Sequence, residues 1–131
     1  RACAMKFKAQ LAAAKGSMII VSSTAGFQST KGNPAYNASK AGAVALTRTL
    51  GEAWAPDGIS VNGIAPGFVA TKLTKVTTDN PKRREMAEGA IPVGRMGLPS
   101  EMAGPALFLA SPLASYMRGQ TLIVDGGLTL S

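Results

Sequence analysis

Apolar residues occur along the chain in two kinds of pattern, short continuous runs and longer stretches with helical spacing. The short runs predict β-strands over residues 17–22, 58–64 and 121–124, bounded by Gly, Pro and Asn. The first of these has a continuous apolar centre, so we expect burial on both faces. Helical spacing predicts the remaining elements: residues 1–14, 34–55, a helix beginning at Asn80-Pro81, and 99–111.

This order of strands and helices predicts an α/β fold with a parallel sheet and right-handed crossovers. The chain has 131 residues, of which 46% are hydrophobic and 16% charged, as expected for a folded globular domain. No linker, internal repeat or low-complexity segment divides it, so we predict one domain over residues 1–131.

Composition excludes several classes of protein. No apolar run approaches the ~20 residues that a membrane helix needs, and the first residues do not form a secretory signal. The single cysteine, Cys3, cannot form an internal disulfide, which favours a cytoplasmic location. Histidine is absent, so we predict no metal site, and any acid–base chemistry must use Tyr, Lys, Asp or Glu.

The net charge of +7 raises the possibility of nucleic-acid binding. The densest basic cluster is Lys82-Arg83-Arg84, and no aromatic residue interrupts it to stack on bases. A solvated helix face explains such a cluster better, so we predict no nucleic-acid partner and no membrane partner.

Tyr36 and Lys40 are the candidate chemical groups of the second helix. Asn33 is suited to cap this helix and Pro34 to occupy its first turn. The spacing of four residues places the phenol and the ammonium on one face, one turn apart. A neighbouring cation favours a phenolate, which makes the phenol usable in proton transfer. By itself the pattern is also common on solvated helix surfaces.

The surrounding segments make the pattern specific. They are residues 17–23 (SMIIVSS), 33–42 (NPAYNASKAG), 59–71 (ISVNGIAPGFVAT) and 119–127 (GQTLIVDGG). In this order and spacing they resemble the short-chain dehydrogenase/reductase family, in the branch that includes sugar dehydrogenases and 3-oxoacyl-carrier-protein reductases. The resemblance extends over nearly the whole chain.

The resemblance implies a Rossmann-like, doubly wound parallel sheet. It also implies hydride transfer between NAD or NADP and a small alcohol or carbonyl substrate, such as a sugar or a 3-oxoacyl compound. Tyr36 would transfer the proton, and Ser23 would orient the substrate oxygen. Lys40 would assist the proton transfer by Tyr36 and bind the hydroxyls of the nicotinamide ribose. Strand alternation places Ser22 on the opposite face and favours Ser23. The alternative for Ser23 is a hydroxyl that caps the following loop.

A second set of residues matches the family segment at the nicotinamide end: Pro66, Gly67, Val69 and Thr71. Gly67 would allow close backbone approach, and Val69 and Thr71 would contact the carboxamide. An ordinary turn after a strand is the alternative. Residues 72–90 match the family region that covers the substrate, and Asp125-Gly126-Gly127 is expected to be a structural turn.

The fifteen glycines contain no G-x-x-x-G-x-G turn of the type that receives a pyrophosphate. The resemblance therefore predicts the C-terminal half of a family member, without its first βαβ cofactor-binding half. It also implies a homodimer or homotetramer formed through the small residues of the second helix. The alternative is an inactive fragment that self-associates. We expect the 131-residue chain alone to bind neither NADH nor NADPH detectably.

Overall fold

The computed structural model describes residues 2–130, without the side chains of Ala2 and Cys3. The predicted first helix began at Arg1, which lies outside the described residues. The helices are α1 (Ala2–Ala13), α2 (Pro34–Trp54), α3 (Lys75–Thr78), α4 (Pro81–Gly89) and α5 (Pro99–Ala110). The strands are β1 (Ser17–Val21), β2 (Ser60–Pro66) and β3 (Thr121–Val124).

The three strands form one parallel sheet in the order β1-β2-β3. In register, Ser17 of β1 lies opposite Ser60 of β2, and Gly63 of β2 lies opposite Thr121 of β3. Each strand is connected to the next through at least one helix, as parallel neighbours require. The predicted α/β class and parallel sheet are confirmed.

Helices cover both faces of the sheet. On one face, α1 and α2 bury a cluster that includes Leu50, Trp54 and Val61. On the other face, α5 buries a cluster that includes Ile64 and Leu109. Adjacent residues of a strand point to opposite faces, and both sides of the sheet are therefore apolar. This is the doubly wound arrangement that the resemblance implied.

The prediction that the first strand is buried on both faces is wrong. Residues 17–20 of β1 are only half-buried, and Val21 is 56% exposed. Within residues 2–130, β1 pairs only with β2 and forms an edge of the sheet. The central strand β2 is the buried one, with residues 60–65 all buried. An apolar run thus identified a strand of a parallel sheet but not its position in the sheet.

Residues 67–98 are mostly exposed. The predicted helix start is confirmed, because Asn80 Oδ1 accepts a hydrogen bond of 3.1 Å from the Arg83 backbone N. The short helix α3 was not predicted, and neither α3 nor α4 contains a buried residue. Within residues 2–130, no helix combines the length and the apolarity needed to cross a lipid bilayer.

Candidate functional site

The candidate residues lie at one edge of the sheet. Strands β1 and β2 are parallel and end at Val21 and Pro66, and β3 ends beside them at Val124. The segments that follow parallel strands meet at the carboxyl edge, where open α/β sheets bind their ligands. Ser23 and the segment Pro66–Thr71 both follow strands here, so the sheet brings the two predicted sets of residues to the same edge.

Tyr36 and Lys40 occupy the first turns of α2. The helix begins as predicted, with the Tyr36 backbone N donating to Asn33 Oδ1 at 3.2 Å. The Nζ atom of Lys40 lies 5.6 Å from the centroid of the Tyr36 ring. Both side chains are half-buried. The phenol and the ammonium therefore share one helix face.

Lys40 is attached to the end of β1 at two points. Its Nζ donates to the Val21 carbonyl at 3.3 Å, and its own carbonyl accepts a 2.8 Å bond from Ser22 Oγ. Ser22 was not among the residues predicted for the site. The structure gives its hydroxyl a partner on the candidate helix.

Ser23 lies at the end of β1 in an extended conformation and is half-exposed. Its Oγ accepts a hydrogen bond of 3.2 Å from the Ala25 backbone N and caps the short turn Thr24–Gly26. The capping alternative is therefore realised. An accepted bond uses an oxygen lone pair and leaves the O–H able to donate to a further group. The role of Ser23 toward a substrate stays a prediction.

The segment Pro66–Thr71 crosses the ends of β2 and β3. A Cβ atom added to Gly67 would lie 2.6 Å from Asp125 Cβ, so Gly67 is needed for packing against the turn after β3. The Val69 side chain is buried, and Val69 pairs with Gly97 in an isolated parallel bridge. Thr71 is exposed. The contacts predicted for these residues with a nicotinamide stay predictions.

Thr74 holds this segment, and the sequence analysis missed it. Its Oγ1 donates to the Val69 carbonyl at 2.7 Å and accepts from the Thr71 backbone N at 2.9 Å. The Thr71 hydroxyl lies 3.4 Å from the same oxygen. A hydroxyl three residues after Thr71 is a signal for such a local turn.

A cleft of about 610 Å³ adjoins the segment. Its lining includes Thr71, Lys72, Lys75, Met96 and Leu98. This volume is in the range of small-molecule sites. Residues 71–88 contribute most of the lining, which places part of the predicted substrate-covering region around a cavity of suitable size.

Arg95 lines the cleft and forms an ion pair with Glu101. The Arg95 guanidinium donates to both carboxylate oxygens of Glu101, at 2.8 and 2.7 Å, and the Leu98 backbone N donates to Glu101 Oε2 at 2.8 Å. The hydrogen bonds from Arg95, followed by the bond from Leu98, lower the pKa of Glu101 to about 2. Glu101 therefore joins the start of α5 to the strand-like segment around Gly97.

The predicted turn after β3 is confirmed. Gly126 and Gly127 both have positive φ, and Asp125 accepts bonds from the backbone N of Gly127 at 2.9 Å and of Thr129 at 2.8 Å. Partial burial alone would raise the pKa of Asp125, but the bonds from the Thr129 hydroxyl and these amides outweigh it and lower the pKa. Asp125 thus has a structural role.

This fold and this edge site define the class of α/β proteins that bind ligands at the carboxyl end of a parallel sheet. A family model described as enoyl-(acyl carrier protein) reductase matches residues 2–129. The 3-oxoacyl-[acyl-carrier-protein] reductase of Chlamydia pneumoniae is 44% identical over 127 residues, 97% of this chain and 50% of that protein. The 2-dehydro-3-deoxy-D-gluconate 5-dehydrogenase of Escherichia coli K12 is 42% identical over 112 residues, 86% of this chain and 44% of that protein.

Solved structures agree with the sequence relatives. The crystal structure of a putative NAD(P) dependent gluconate 5-dehydrogenase from Beutenbergia cavernae, with bound NADP, superposes with a TM-score of 0.92 at 40% identity. The match covers 98% of this chain and 52% of that one. The chain belongs to the short-chain dehydrogenase/reductase family, which is a family of enzymes. It spans about half the length of the curated relatives that it matches.

Proposed function

We propose that the complete gene product carrying residues 1–131 is a cytoplasmic NAD(P)-dependent oxidoreductase, and that these residues belong to one Rossmann-type domain. It transfers a hydride between the nicotinamide cofactor and the carbonyl or alcohol carbon of a small substrate. The observation that carries this proposal is the Tyr36–Lys40 pair, with Nζ 5.6 Å from the ring centroid and attached to the carboxyl edge of the sheet. The names of the relatives favour a 3-oxoacyl or sugar-acid substrate.

Each site residue has a separate task in this reaction. The Tyr36 phenol donates a proton to the forming alkoxide, or removes it in the oxidative direction. The Ser23 hydroxyl, whose oxygen already accepts from Ala25, donates to the substrate oxygen and stabilises its developing charge. The Lys40 ammonium lies 5.6 Å from the centroid of the Tyr36 ring and places a positive charge beside the phenol.

The residues present also fit the nicotinamide end of the cofactor. An ammonium has three donors, and the Val21 carbonyl accepts one from Lys40, which leaves donors for ribose hydroxyls. Pro66, Gly67, Val69 and Thr71 would hold the nicotinamide end of the cofactor, and the exposed Thr71 hydroxyl would be available to hydrogen-bond its carboxamide. When bound, the nicotinamide supplies or accepts the hydride. The choice between NAD and NADP depends on contacts at the adenosine ribose.

Tyr36→Phe in the complete gene product tests the proposal. Loss of the acid should lower turnover of a 3-oxoacyl thioester or of gluconate by about 10²–10⁴-fold, with cofactor affinity nearly unchanged. Turnover is followed by NAD(P)H absorbance and affinity by fluorescence titration. Tyr116→Phe is the matched control, because Tyr116 is fully exposed and should tolerate the change. Full activity in the Tyr36 variant would remove Tyr36 as the acid.

Self-association is a second candidate, as a property of the active enzyme or as the remaining capacity of an inactive fragment. It is favoured by the exposed small residues on one face of α2: Ala38, Ala41, Gly42 and Ala45. The half-buried edge strand β1 could add backbone pairing. Light scattering on the 131-residue chain distinguishes the candidates, because a stable monomer at high concentration contradicts self-association.

A further inference from the structure

We propose that Ser22 is a positioning residue that fixes Lys40 for proton transfer, an inference that rests on the proposed function. The proposed site uses Ser23, Tyr36 and Lys40 and assigns no role to Ser22. Its hydroxyl is nonetheless the group that joins the end of the strand to the backbone of the lysine.

Ser22 is itself firmly held. It is 4% exposed, and its backbone N donates to the Ile64 carbonyl of the central strand at 2.8 Å. Its Oγ donates to the Lys40 carbonyl, also at 2.8 Å. One residue therefore connects the most buried strand of the sheet to the turn of α2 that carries the ammonium.

The effect on Lys40 follows from its two attachments. A lysine side chain has four rotatable bonds, so one contact at Nζ leaves the position of its backbone undetermined. Here Val21 accepts from Nζ at 3.3 Å while the next residue, Ser22, fixes the Lys40 carbonyl. The backbone and the ammonium of Lys40 are thus both hydrogen-bonded to the end of β1. These two bonds set the distance of 5.6 Å between Nζ and the centroid of the Tyr36 ring.

Gly26 shows how closely this contact is packed. A Cβ atom added to Gly26 would lie 2.8 Å from the Lys40 carbonyl oxygen and 3.1 Å from Ser22 Oγ. The loop after β1 therefore presses against the bond between Ser22 and Lys40. Without the hydroxyl, the Lys40 carbonyl loses a partner at a site that the surrounding backbone largely closes to water.

A double-mutant cycle in the complete gene product tests this inference. Ser22→Ala should lower kcat about two- to tenfold, the range that corresponds to one ordinary hydrogen bond. The Lys40→Met variant keeps the backbone bond to Ser22 but has no ammonium to position. In that background, Ser22→Ala should cause no further loss of kcat, although it should still lower the unfolding midpoint.

Thr47→Val is the matched control. Thr47 is fully buried on the same helix and its Oγ1 donates to the Ala43 carbonyl at 2.8 Å, but it lies well beyond the Tyr36–Lys40 turn. It should lower the unfolding midpoint and leave kcat unchanged. Ser22→Cys, which keeps the shape and has a weaker donor, takes the place of Ser22→Ala in the cycle if the alanine variant does not fold.

Each outcome decides between positioning and a purely structural role. Independent, additive losses of kcat from the Ser22 and Lys40 substitutions would overturn the inference, as would an equal loss of kcat in Thr47→Val. If Tyr36→Phe and Lys40→Met retain full activity, the proposed function and this inference both fail. If those variants lose most of their activity and their residual kcat values make the cycle additive, only the role of Ser22 fails.

Discussion

The two sides of the candidate site are held by different kinds of contact. On the helix side, Lys40 bonds to Val21 and Ser22, which are 19 and 18 residues away in the chain. On the segment side, Thr74 bonds to Val69 and Thr71, within five residues. Contacts between distant residues form and break with the whole domain, whereas local contacts can open independently of it.

The surroundings of each side match this difference. Helix α2 buries five residues against the sheet, among them Leu50 and Trp54, whereas α3 and α4 bury none. We infer that the Tyr36–Lys40 pair sits on a rigid support and that the wall of the cleft is more free to rearrange. Such a division suits an enzyme that must position its acid and still admit and release a ligand.

The largest loss of unfolding free energy is expected where the close packing of α2 is disrupted. In Gly51→Ala, the new Cβ would lie 2.5 Å from Gly119 Cα and closer still to its backbone N. Neither backbone can move without disturbing the central strand, so the substitution should cost about 3 kcal/mol of unfolding free energy. Urea unfolding of the complete gene product measures this.

Gly104→Ala in α5 is the control for that variant. No atom within 4 Å would meet the new Cβ at Gly104. Alanine is the better helix former, so this variant should gain about 0.5–1 kcal/mol. A similar loss of stability in both variants would show that helix α2 is not held by close packing at Gly51.

An intermediate and local effect is expected from Thr74→Val. It removes the hydroxyl that binds both Val69 and Thr71, without changing the size of the side chain. Amide hydrogen exchange should accelerate by about three- to tenfold in residues 69–74, while the global unfolding free energy changes by less than about 0.5 kcal/mol.

Thr78→Val is the control for the local effect, because the Thr78 hydroxyl donates only to the Lys75 carbonyl, at 3.2 Å. It should leave exchange at residues 69–74 unchanged. If Thr74→Val instead lowers global stability as much as Gly51→Ala, the contacts of Thr74 do not open locally but break with the whole domain.

The smallest effect concerns the pH dependence of stability from the Arg95–Glu101 ion pair beside the cleft. The pKa of Glu101 is lowered from 4.5 to about 2 by Arg95 and the Leu98 amide. A group with a lowered folded pKa contributes stability above its unfolded pKa, and the contribution is lost as pH falls from about 4.5 toward about 2. The unfolding midpoint of Glu101→Gln should therefore lie below wild type at pH 6, and the difference should shrink toward pH 2.

Asp79→Asn is the control for this measurement. Asp79 forms an exposed ion pair with Lys75 at 3.9 Å, and exposed pairs of this kind contribute little. Its midpoint should match wild type at pH 6. A difference between Glu101→Gln and wild type that stays constant from pH 6 to pH 2 would contradict the assigned role of the Arg95–Glu101 pair.

Most helices and strands, and the placement of Tyr36 and Lys40 on one helix face, could be predicted from the sequence, whereas the short helix α3 could not. Asn33 and Pro34 start α2, Asn80 and Pro81 start α4, and the spacing of Tyr36 and Lys40 places them on one face. These features depend on interactions within one or two helical turns, which the order of residues specifies directly. The apolar runs likewise identified all three strands.

Packing between distant elements determines which strand is central and which hydroxyls contact the candidate residues. The apolar run of β1 resembles that of a buried strand, yet within residues 2–130 the strand forms an edge and leaves Val21 exposed. Ser22 reaches Lys40, and Gly51 meets Gly119, only because helix α2 packs across the sheet at a particular height. Such contacts join residues far apart in the chain, and their geometry depends on how whole elements pack, which no local pattern records.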